Sequence, residues 1–329
     1  MPAVKVFIPT YKRNSSLKRA INSLLMQTFD NWICEIHNDD PADMLLADYV
    51  NQLNDSRFTY IKHKKNLGPV VTFNLMYQST DATYITLLED DNWWEPTFLK
   101  EMTKLLDEYP HVEMAWSNMH LWKENIDGNS ESLNETIWPY SKEKLELIEF
   151  GDIKQSYGAL HSNGAMLIRN NNLQKYILPT DIRFDFVEPF RERHFNYPII
   201  LNNKPLANYN FTRSTNRRTN LDGLYEHYII LLSSFFKIVE PTTNLAKSLW
   251  NLTRNEKVRS TNRLLYTGLL YKNCRFLLKH AKINDWLFFI LYNLKHPTIF
   301  IKCFKFKRRN GHLWRYLTEG INLIPKGND

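Results

Sequence analysis

The sequence predicts an α/β protein in which a mostly parallel sheet is flanked by helices and followed by a helical C-terminal region. Three observations lead to this prediction. Short apolar runs alternate with helical patterns from residue 4 to about residue 116, which is typical of a parallel sheet with helices on both faces. One of these runs, residues 83–88, ends in three consecutive acidic residues. Beyond residue 223, helical periodicity replaces the alternation.

Each predicted element of the first half rests on a local pattern. Residues 4–8 form an apolar run that stops at Pro9, so they are predicted as the first strand. Leu17, Ala20, Ile21 and Leu24 have the i, i+3, i+4, i+7 spacing of a buried helix face. The other strands of this half are predicted at residues 32–37, 58–61, 83–88 and 112–116, and the other helices at residues 43–53, 70–79 and 96–106.

The second half is less regular. Residues 120–156 are polar and contain clear turn signals, so we expect irregular structure there. A strand is predicted at residues 165–168 and a polar, basic loop at residues 209–220. Residues 221–329 carry a net charge of +11, whereas residues 1–220 carry −4. This asymmetry predicts two domains with different tasks, residues 1–220 and residues 221–329.

Composition excludes several classes of site. The chain has 10 glycines, and neither a G-x-G-x-x-G nor a G-x-x-x-x-G-K-[ST] pattern occurs, which argues against a dinucleotide-binding loop and a P-loop. The three cysteines lie far apart, so neither a zinc site nor a disulfide framework is indicated. The N-terminus lacks the apolar core of a signal peptide, and no apolar run is long enough to span a bilayer, so we expect a cytoplasmic protein.

The acidic segment Glu89-Asp90-Asp91 is the strongest chemical signal. It follows a strand that is predicted to be buried on both faces, and uncompensated charge cannot share that burial. Ligands gather at the carboxyl ends of strands in open parallel sheets. Mg²⁺ and Mn²⁺ are usually held by one or two carboxylates together with substrate phosphates. The segment therefore predicts a metal–diphosphate site, with an acidic loop before a helix as the alternative.

Four motifs resemble the glycosyltransferase family 2 module, which has the nucleotide-sugar-binding GT-A fold. They occur in order over roughly 90 residues. The match covers residues 4–215, weakens beyond residue 120 and is absent after about residue 220. The motifs are Pro9-Thr10-Tyr11-Lys12-Arg13, Ser23-Leu24-Leu25-Met26-Gln27-Thr28-Phe29, Asn38-Asp39-Asp40, and the block from Tyr84 to Pro96 with its acidic segment and two tryptophans.

The resemblance implies roles for residues of these motifs. Pro9, Thr10, Tyr11 and Arg13 would belong to the donor site, and Thr10 and Tyr11 would line the pocket for the base. Asp39 would accept a hydrogen bond from the base, most often uracil, although an Asp here is also a common turn former. Glu89 or Asp90 would bind the ribose hydroxyls, and Glu89 departs from the usual Asp. Asp91 would be the carboxylate that holds Mn²⁺ or Mg²⁺, and the metal would neutralise the diphosphate leaving group.

Members of this family invert the anomeric carbon, which requires one general base. The resemblance places it in Phe186-Val187-Glu188-Pro189-Phe190-Arg191-Glu192-Arg193. Glu188 is our first choice and Asp185 the second; the alternative is an acid paired with a nearby arginine on a helix. A loop that closes on the diphosphate would contain Arg213, with Arg217 and Arg218 as further candidates. Thr212 replaces the usual histidine there. The turn 161–164 would face the acceptor, or would be an ordinary hairpin.

The C-terminal third combines aromatic and basic residues, most densely in residues 300–309. Such a segment favours peripheral binding to an anionic membrane surface, at the inner face of the cytoplasmic membrane. A helical bundle packed on the catalytic domain is the alternative. No nucleic-acid partner is expected, because no nucleic-acid-binding module is recognised.

Taken together, the sequence predicts an inverting, metal-dependent glycosyltransferase. It would move a sugar from a nucleotide diphosphate-sugar, most often a UDP-sugar, to a hydroxyl of a glycan or lipid-linked acceptor in bacterial surface polysaccharide synthesis. Two alternatives remain. One is a catalytically silent, nucleotide-sugar-binding scaffold, which the Glu188-Pro189 and Thr212 departures favour. The other is a sugar nucleotidyltransferase, which usually needs a glycine-rich basic loop after the first strand.

Overall fold

A computed structural model describes residues 1–78, 80–139, 141–158, 162–213, 224–255 and 260–319. The chain forms two compact units, and each is described by itself below. Unit 1 comprises Met1–Glu149, His161–Glu188 and Phe195–Arg217, and unit 2 comprises Phe150–Leu160, Pro189–His194 and Arg218–Asp329. The functional division into a catalytic domain at residues 1–220 and a C-terminal region at residues 221–329 stays a prediction.

Unit 1 begins with the predicted alternation of strands and helices. Its first elements are β1 (Val4–Thr10), α1 (Asn14–Leu25), β2 (Trp32–Asn38), α2 (Leu46–Gln52), β3 (Phe58–Lys62), α3 (Pro69–Asn74), β4 (Tyr84–Leu87), β5 (Trp93–Trp94) and α4 (Phe98–Glu108). The apolar stripe of α1 is buried as its spacing predicts: Leu17, Ala20, Ile21 and Leu24 are inaccessible to solvent. All four residues of β4 are buried, as expected for a strand covered on both faces.

The later elements are β6 (Met114–Glu124), β7 (Ser130–Thr136), β8 (Leu145–Ile148), β9 (Met166–Arg169), the short helix α5 (Val187–Glu192) and β10 (Ile199–Phe211). The prediction of irregular structure over residues 120–156 is therefore wrong, because β6 continues to Glu124 and two further strands follow. The predicted basic loop at residues 209–220 also begins too early, since β10 extends to Phe211. The side chains of β7 and β8 are alternating or largely exposed, and neither strand has the continuous apolar run by which the other strands were recognised.

All strands of the described residues belong to one sheet with the order β3-β2-β1-β4-β9-β6-β10-β5, to which β7 adds on β6 and β8 on β10. The pairs among β1 to β4 are parallel, and so is β6 with β10. β9 runs antiparallel to both of its neighbours, and β5, β7 and β8 also pair antiparallel. The predicted α/β class is confirmed, and the sheet is mixed, with its parallel part at the N-terminal side.

The end of α1 holds the segment that follows the acidic residues. The buried Gln27 side chain donates to the Glu95 carbonyl (2.8 Å), and its amide oxygen accepts the Leu99 N–H at the start of α4 (2.9 Å). The Thr28 N–H donates to the Pro96 carbonyl at 2.8 Å. Two of the sequence motifs are thus joined by hydrogen bonds, and the loop between β4 and α4 is anchored at its far end.

Unit 2 is mainly helical, as the periodicity after residue 223 predicts. Its helices are α6 (Leu224–Ile238), α7 (Thr243–Asn255), α8 (Asn262–Leu270), α9 (Ile283–Lys295), α10 (Thr298–Arg309) and α11 (Gly311–Glu319). Phe235, Trp250, Leu265 and Leu277 lie in their buried core, and the Trp250 indole donates to the Leu277 carbonyl at 3.0 Å. Within the described ranges, no helix has the length and apolar character needed to cross a membrane.

Candidate functional site

The acidic segment lies where β1 and β4 end side by side. The Leu88 N–H still bonds to the Phe7 carbonyl (2.9 Å), after which the chain leaves the sheet with Glu89, Asp90 and Asp91. The Thr10 hydroxyl, at the end of β1, donates to Asp90 Oδ2 at 2.8 Å. The parallel pairing of the two strands therefore brings the first and last sequence motifs together at one edge of the sheet.

Arg13 joins the two aspartates of this segment. One nitrogen, Nη1, lies 3.2 Å from Asp90 Oδ1 and 2.5 Å from Asp91 Oδ2. Asp90 is buried, whereas Asp91 keeps 14% of its side chain exposed and faces Arg13 rather than the apolar core. The predicted metal carboxylate and the predicted donor-site arginine are thus neighbours.

Arg19 is a second cation at the segment, and the sequence reasoning missed it. Its Nη2 donates to the Asp91 carbonyl (2.9 Å), its Nη1 donates to the Ser130 hydroxyl (2.7 Å), and its guanidinium lies 3.9 Å above the Trp93 ring. Arg19 occupies a polar position of α1 with no motif around it, so no sequence signal distinguishes it from a solvated surface residue.

Glu89 points towards the turn that precedes β9. Its Oε2 accepts hydrogen bonds from the Ser162 hydroxyl (2.5 Å) and the Asn92 amide (2.7 Å). Ser162 has a φ of +62°, a conformation that few residues other than glycine adopt. A Cβ atom on Gly164 would lie 3.1 Å from Glu89 Oε2, which is a tight contact, so the glycine leaves room for the Glu89 carboxylate. The predicted acceptor turn thus contacts the acidic segment.

The surroundings of the segment disfavour the ionised form of all three carboxyl groups. Burial, together with the charges of Asp91 and Glu188, raises the pKa of Glu89 from 4.5 to about 8. Burial and Asp91 also raise the pKa of Asp90, although Arg13 opposes this shift. The pKa of Asp91 is raised by burial as well, against the opposing effect of Arg13 and Arg19. A cation entering this site would relieve the repulsion.

The two candidates for the general base differ in position. The Asn163 amide donates to Glu188 Oε1 at 3.1 Å, and the charge of Glu188 acts on Glu89. Ser162 and Asn163 are adjacent, so one turn connects Glu188 with the acidic segment. Asp185 is exposed and forms an ion pair with Arg183 at 2.6 Å. The structure brings Glu188 towards the candidate site and pairs Asp185 with a surface cation.

Asp39 is buried and holds a neighbouring loop. Its Oδ1 accepts the Leu67 N–H (2.7 Å) and faces His63 Nδ1 (3.0 Å), and its Oδ2 accepts the Gly68 N–H (2.9 Å). A carboxylate offers about four acceptor positions, so one on Oδ2 remains beside these three contacts. Asp39 also belongs to the β1 edge, because its N–H donates to the Thr10 carbonyl at 2.9 Å.

The remaining predicted donor residues are more dispersed. Pro9 is buried in β1, and Tyr11 is 45% exposed at its end. Arg213 is exposed and contacts the connection between β6 and β7, through Glu124 Oε2 (2.7 Å) and the Ile126 carbonyl (3.4 Å). The structure therefore does not bring Arg213 into hydrogen-bond contact with the acidic segment. His161, Arg217 and Arg218 lie outside the described residues.

The donor set fits a divalent cation only in part. In the described part of the chain, no group of three or more His, Cys, Asp or Glu side chains is arranged to hold a metal ion by itself. A single carboxylate combined with phosphate oxygens is nevertheless the usual way in which Mg²⁺ is bound. The repulsion among the three acidic side chains fits a cation that arrives with a diphosphate and binds at Asp91.

The known proteins that are similar in sequence to this chain are described as glycosyltransferases. The family model "Glycosyl transferase family 2" matches residues 5–160. A protein of Escherichia coli K12 named for colanic acid biosynthesis glycosyl transferase, WcaA, is 35% identical over 99 residues, or 30% of this chain and 36% of that protein. This chain thus aligns with about a third of that relative's length. An uncharacterized glycosyltransferase of Haemophilus influenzae is 22% identical over 320 residues, covering 92% of this chain and 97% of the relative.

Among solved structures, residues 1–349 of Staphylococcus aureus TarS in complex with UDP superimpose with a TM-score of 0.59. The alignment covers 94% of this chain and 92% of that one at 14% identity. At this identity the similarity shows the fold.

Proposed function

We propose that the protein is a member of glycosyl transferase family 2, whose model matches residues 5–160, and that it transfers a sugar from a UDP-sugar to a hydroxyl group with inversion. The observation that carries the proposal is the cluster at the β1–β4 edge. Asp90 and Asp91 contact Arg13 there, and Glu89 is connected through one turn to a further carboxylate, Glu188. The acceptor would be a glycan or a lipid-linked glycan of a bacterial surface polysaccharide, as the relative named for colanic acid biosynthesis suggests.

The base and ribose would bind beside the ends of β1 and β2. Asp39 would accept a hydrogen bond from uracil through the remaining position on Oδ2, and the exposed Tyr11 ring would cover the base. Glu89 or Asp90 would accept the ribose hydroxyls. These assignments are supported by two contacts of Thr10: its carbonyl accepts the Asp39 N–H, and its hydroxyl donates to Asp90 in the acidic segment.

The diphosphate would lie against Asp91 and the two arginines. Asp91 would hold Mn²⁺ or Mg²⁺, which, when bound, supplies a Lewis acid that neutralises the departing diphosphate. Arg13 and Arg19 are both oriented by hydrogen bonds to Asp91, through its carboxylate and its carbonyl respectively. Their guanidinium groups can bind phosphate oxygens through charge-assisted hydrogen bonds. The protein would thereby fix the leaving group at one end of the sugar.

Glu188 would remove the proton from the acceptor hydroxyl. The Asn163 amide orients its carboxylate, and Asn163 belongs to the same turn as the Ser162 that contacts Glu89. The base and the leaving-group site would therefore be held by one structural element. An in-line attack requires this arrangement, with the base and the diphosphate on opposite sides of the sugar.

Three matched substitutions test the assignment of roles. We expect Asp91→Asn to lose Mn²⁺-dependent UDP binding, measured by calorimetry and by the electron paramagnetic resonance of Mn²⁺. Glu188→Gln should retain UDP binding but lose transfer by about 10²–10⁴-fold, the usual contribution of a general base. Asp185→Asn is the control and should retain both. The base would instead be Asp185 if the last two variants exchanged their behaviour.

A panel of UDP-sugars incubated with Mn²⁺ tests the proposed activity as a whole. Slow hydrolysis of at least one donor is expected even without an acceptor. The silent-scaffold alternative would be correct if the unaltered protein bound UDP but neither hydrolysed nor transferred any donor of the panel. Formation of a nucleotide-sugar from a sugar phosphate and UTP would support the nucleotidyltransferase alternative.

We also propose that α9 and α10 bind an anionic membrane surface, which would place the protein near a lipid-linked acceptor. Apolar side chains on α9 follow the spacing of one helix face and are 52–77% exposed: Ile283, Leu287, Ile290, Leu291 and Leu294. On α10, Ile301 and Phe304 are each 52% exposed and lie among exposed basic residues. Exposed apolar stripes beside cations favour anionic lipid over a neutral protein partner.

Liposome sedimentation tests the membrane proposal. A Leu287→Glu/Leu291→Glu variant should lose binding to phosphatidylglycerol vesicles, and neither variant nor parent should bind neutral phosphatidylcholine vesicles strongly. Leu252→Glu on α7, where the leucine is 44% exposed, is the control and should bind normally. The proposal would be overturned if the parent protein did not bind anionic vesicles. A parent that is dimeric by light scattering, with a monomeric double variant, would show that this face binds a second copy of the chain instead.

A further inference from the structure

Two histidines connect the proposed base-reading residue with a second carboxylate. Glu35, His37 and Asp39 alternate along β2 and its extension and therefore project to the same face. His37 Nε2 lies 3.3 Å from Glu35 Oε2, and His37 Nδ1 lies 3.1 Å from His63 Nε2. His63 Nδ1 lies 3.0 Å from Asp39 Oδ1. The result is a continuous chain of three contacts that begins and ends on a carboxyl group.

The two histidines and Asp39 are largely shielded from solvent, whereas Glu35 at the outer end is 27% exposed and ionised. His37 and Asp39 are buried, and the side chain of His63 is 9% exposed. His37 stacks on Phe7 at 4.4 Å between ring centroids. The hydrogen bond with His37 and the nearby Lys5 ammonium (2.8 Å) lower the pKa of Glu35 to about 2. The outer carboxylate is therefore ionised, and it can accept a hydrogen bond from His37 Nε2–H but cannot donate one.

Counting protons along the chain leads to the inference. Each of the three contacts is a hydrogen bond only if one proton lies between its two atoms. Two neutral imidazoles supply two protons. If neutral His37 donates from Nε2 to Glu35, its Nδ1 has no proton and must accept a hydrogen bond from His63 Nε2. Neutral His63 then has no proton on Nδ1, so its lone pair faces the Asp39 carboxylate. The third hydrogen bond needs one additional proton between His63 and Asp39.

We propose that the His37–His63 pair holds one proton more than two neutral imidazoles, and that His63 uses it to position Asp39 for the nucleotide base. His63 is thus a positioning residue, and it acts through Asp39 without contacting the nucleotide. The proposal rests on the proposed function, because it assumes that Asp39 binds the base of the donor.

The charges around the pair are consistent with one trapped proton. Lys5 on β1 pairs with Glu35 and lies at the outer end, away from His63. The side chains of Lys64 and Lys65, which follow His63, are exposed. Glu35 and Asp39 are therefore the charged groups in hydrogen-bond contact with the imidazoles, and one positive charge between two carboxylates reduces the cost of burying them.

Histidine nitrogen NMR tests the proton count without any ligand. In ¹⁵N-histidine-labelled protein at pH 7, His37 and His63 together should show three protonated ring nitrogens, assigned with His37→Asn and His63→Asn variants. Two protonated nitrogens would overturn the inference. This measurement decides the proton count whether or not the protein binds nucleotide.

UDP binding as a function of pH tests the positioning role. Loss of the additional proton at high pH removes one hydrogen bond to Asp39, so UDP affinity should fall by about threefold to tenfold between pH 6 and pH 9, the effect of one such bond. Glu35→Gln is the sharpest variant. A carboxamide can donate to His37 Nε2, which lets two neutral imidazoles satisfy all three hydrogen bonds. In Glu35→Gln, the ratio of the UDP affinities at pH 6 and pH 9 should therefore be at least about threefold smaller than in the unaltered protein. Titration of the acidic segment changes this ratio equally in both proteins.

His63→Asn should weaken UDP binding by a similar factor at pH 6, where the unaltered protein binds best. Equal pH profiles for the unaltered protein and Glu35→Gln, or unchanged affinity in His63→Asn, would overturn the positioning role. If the unaltered protein binds no UDP at any pH, the proposed function fails and the positioning role fails with it, while the NMR result stands.

Discussion

Replacing Glu89 with glutamine should make the protein more stable at high pH. Glu89 is largely buried, and burial together with the charges of Asp91 and Glu188 raises the pKa of its carboxyl from 4.5 to about 8. Between these two pH values the native state binds a proton that the unfolded state has released, so native stability falls as the pH rises. At about 1.4 kcal/mol per unit of pKa, the loss reaches at most about 5 kcal/mol by pH 8. Glutamine keeps an acceptor for Ser162 and Asn92 and has no charge to desolvate.

The assay is the thermal unfolding midpoint of both proteins from pH 5 to pH 8.5. We expect the midpoints to be similar near pH 5 and the midpoint of the variant to exceed that of the parent by at most roughly 10–20 °C at pH 8, because about 1 kcal/mol shifts the midpoint of a domain of 150–250 residues by about 2–4 °C. Glu146→Gln, on the exposed strand β8, is the control and should track the parent at every pH. The reasoning is refuted if the difference between variant and parent is constant with pH, or if it shrinks as the pH rises.

Two further substitutions test the contacts around this site. Gly164→Ala places a Cβ atom 3.1 Å from Glu89 Oε2. It should lower the rate of sugar transfer and change the unfolding midpoint little. A variant with full activity would show that the close approach of residue 164 to Glu89 is unimportant. Gln27→Ala removes the two hydrogen bonds to Glu95 and Leu99 and should cost about 2 kcal/mol in chemical unfolding. A loss below about 0.5 kcal/mol would mean that the hydrogen bonds of the Gln27 side chain add little to the stability.

Sequence reasoning predicted the parts of the fold that depend on local patterns. The strands β1 to β4 are short apolar runs between turn residues, and the stripe on α1 has helical spacing, so each could be recognised within a window of ten residues. Asp39 and the acidic segment were found because each follows such a strand. The residues that immediately precede Asp39 and the acidic segment were sufficient to predict their positions at strand ends.

The missed parts depend on contacts between distant segments. Strand β10 carries polar residues such as Asn202 and Asn208 and is held by pairing with β6, about 85 residues earlier. Its sequence alone gives no apolar run. Arg19 and His63 are likewise defined by partners that lie 72 and 24 residues away in the chain. Such partners follow from the three-dimensional register of the sheet, which no local pattern contains.

The reversed direction of β9 determines which chain segments can meet at the acidic edge. Because β9 runs opposite to β4, the residues that precede β9 lie beside those that follow β4, and the Thr86 hydroxyl contacts the Met166 carbonyl there at 2.6 Å. In a parallel arrangement, the same turn would open at the far rim of the sheet, about 13 Å away for a strand of four residues. The antiparallel direction of one strand thus lets the segment that enters β9 and the segment that leaves β4 meet at the candidate site, without a long additional loop.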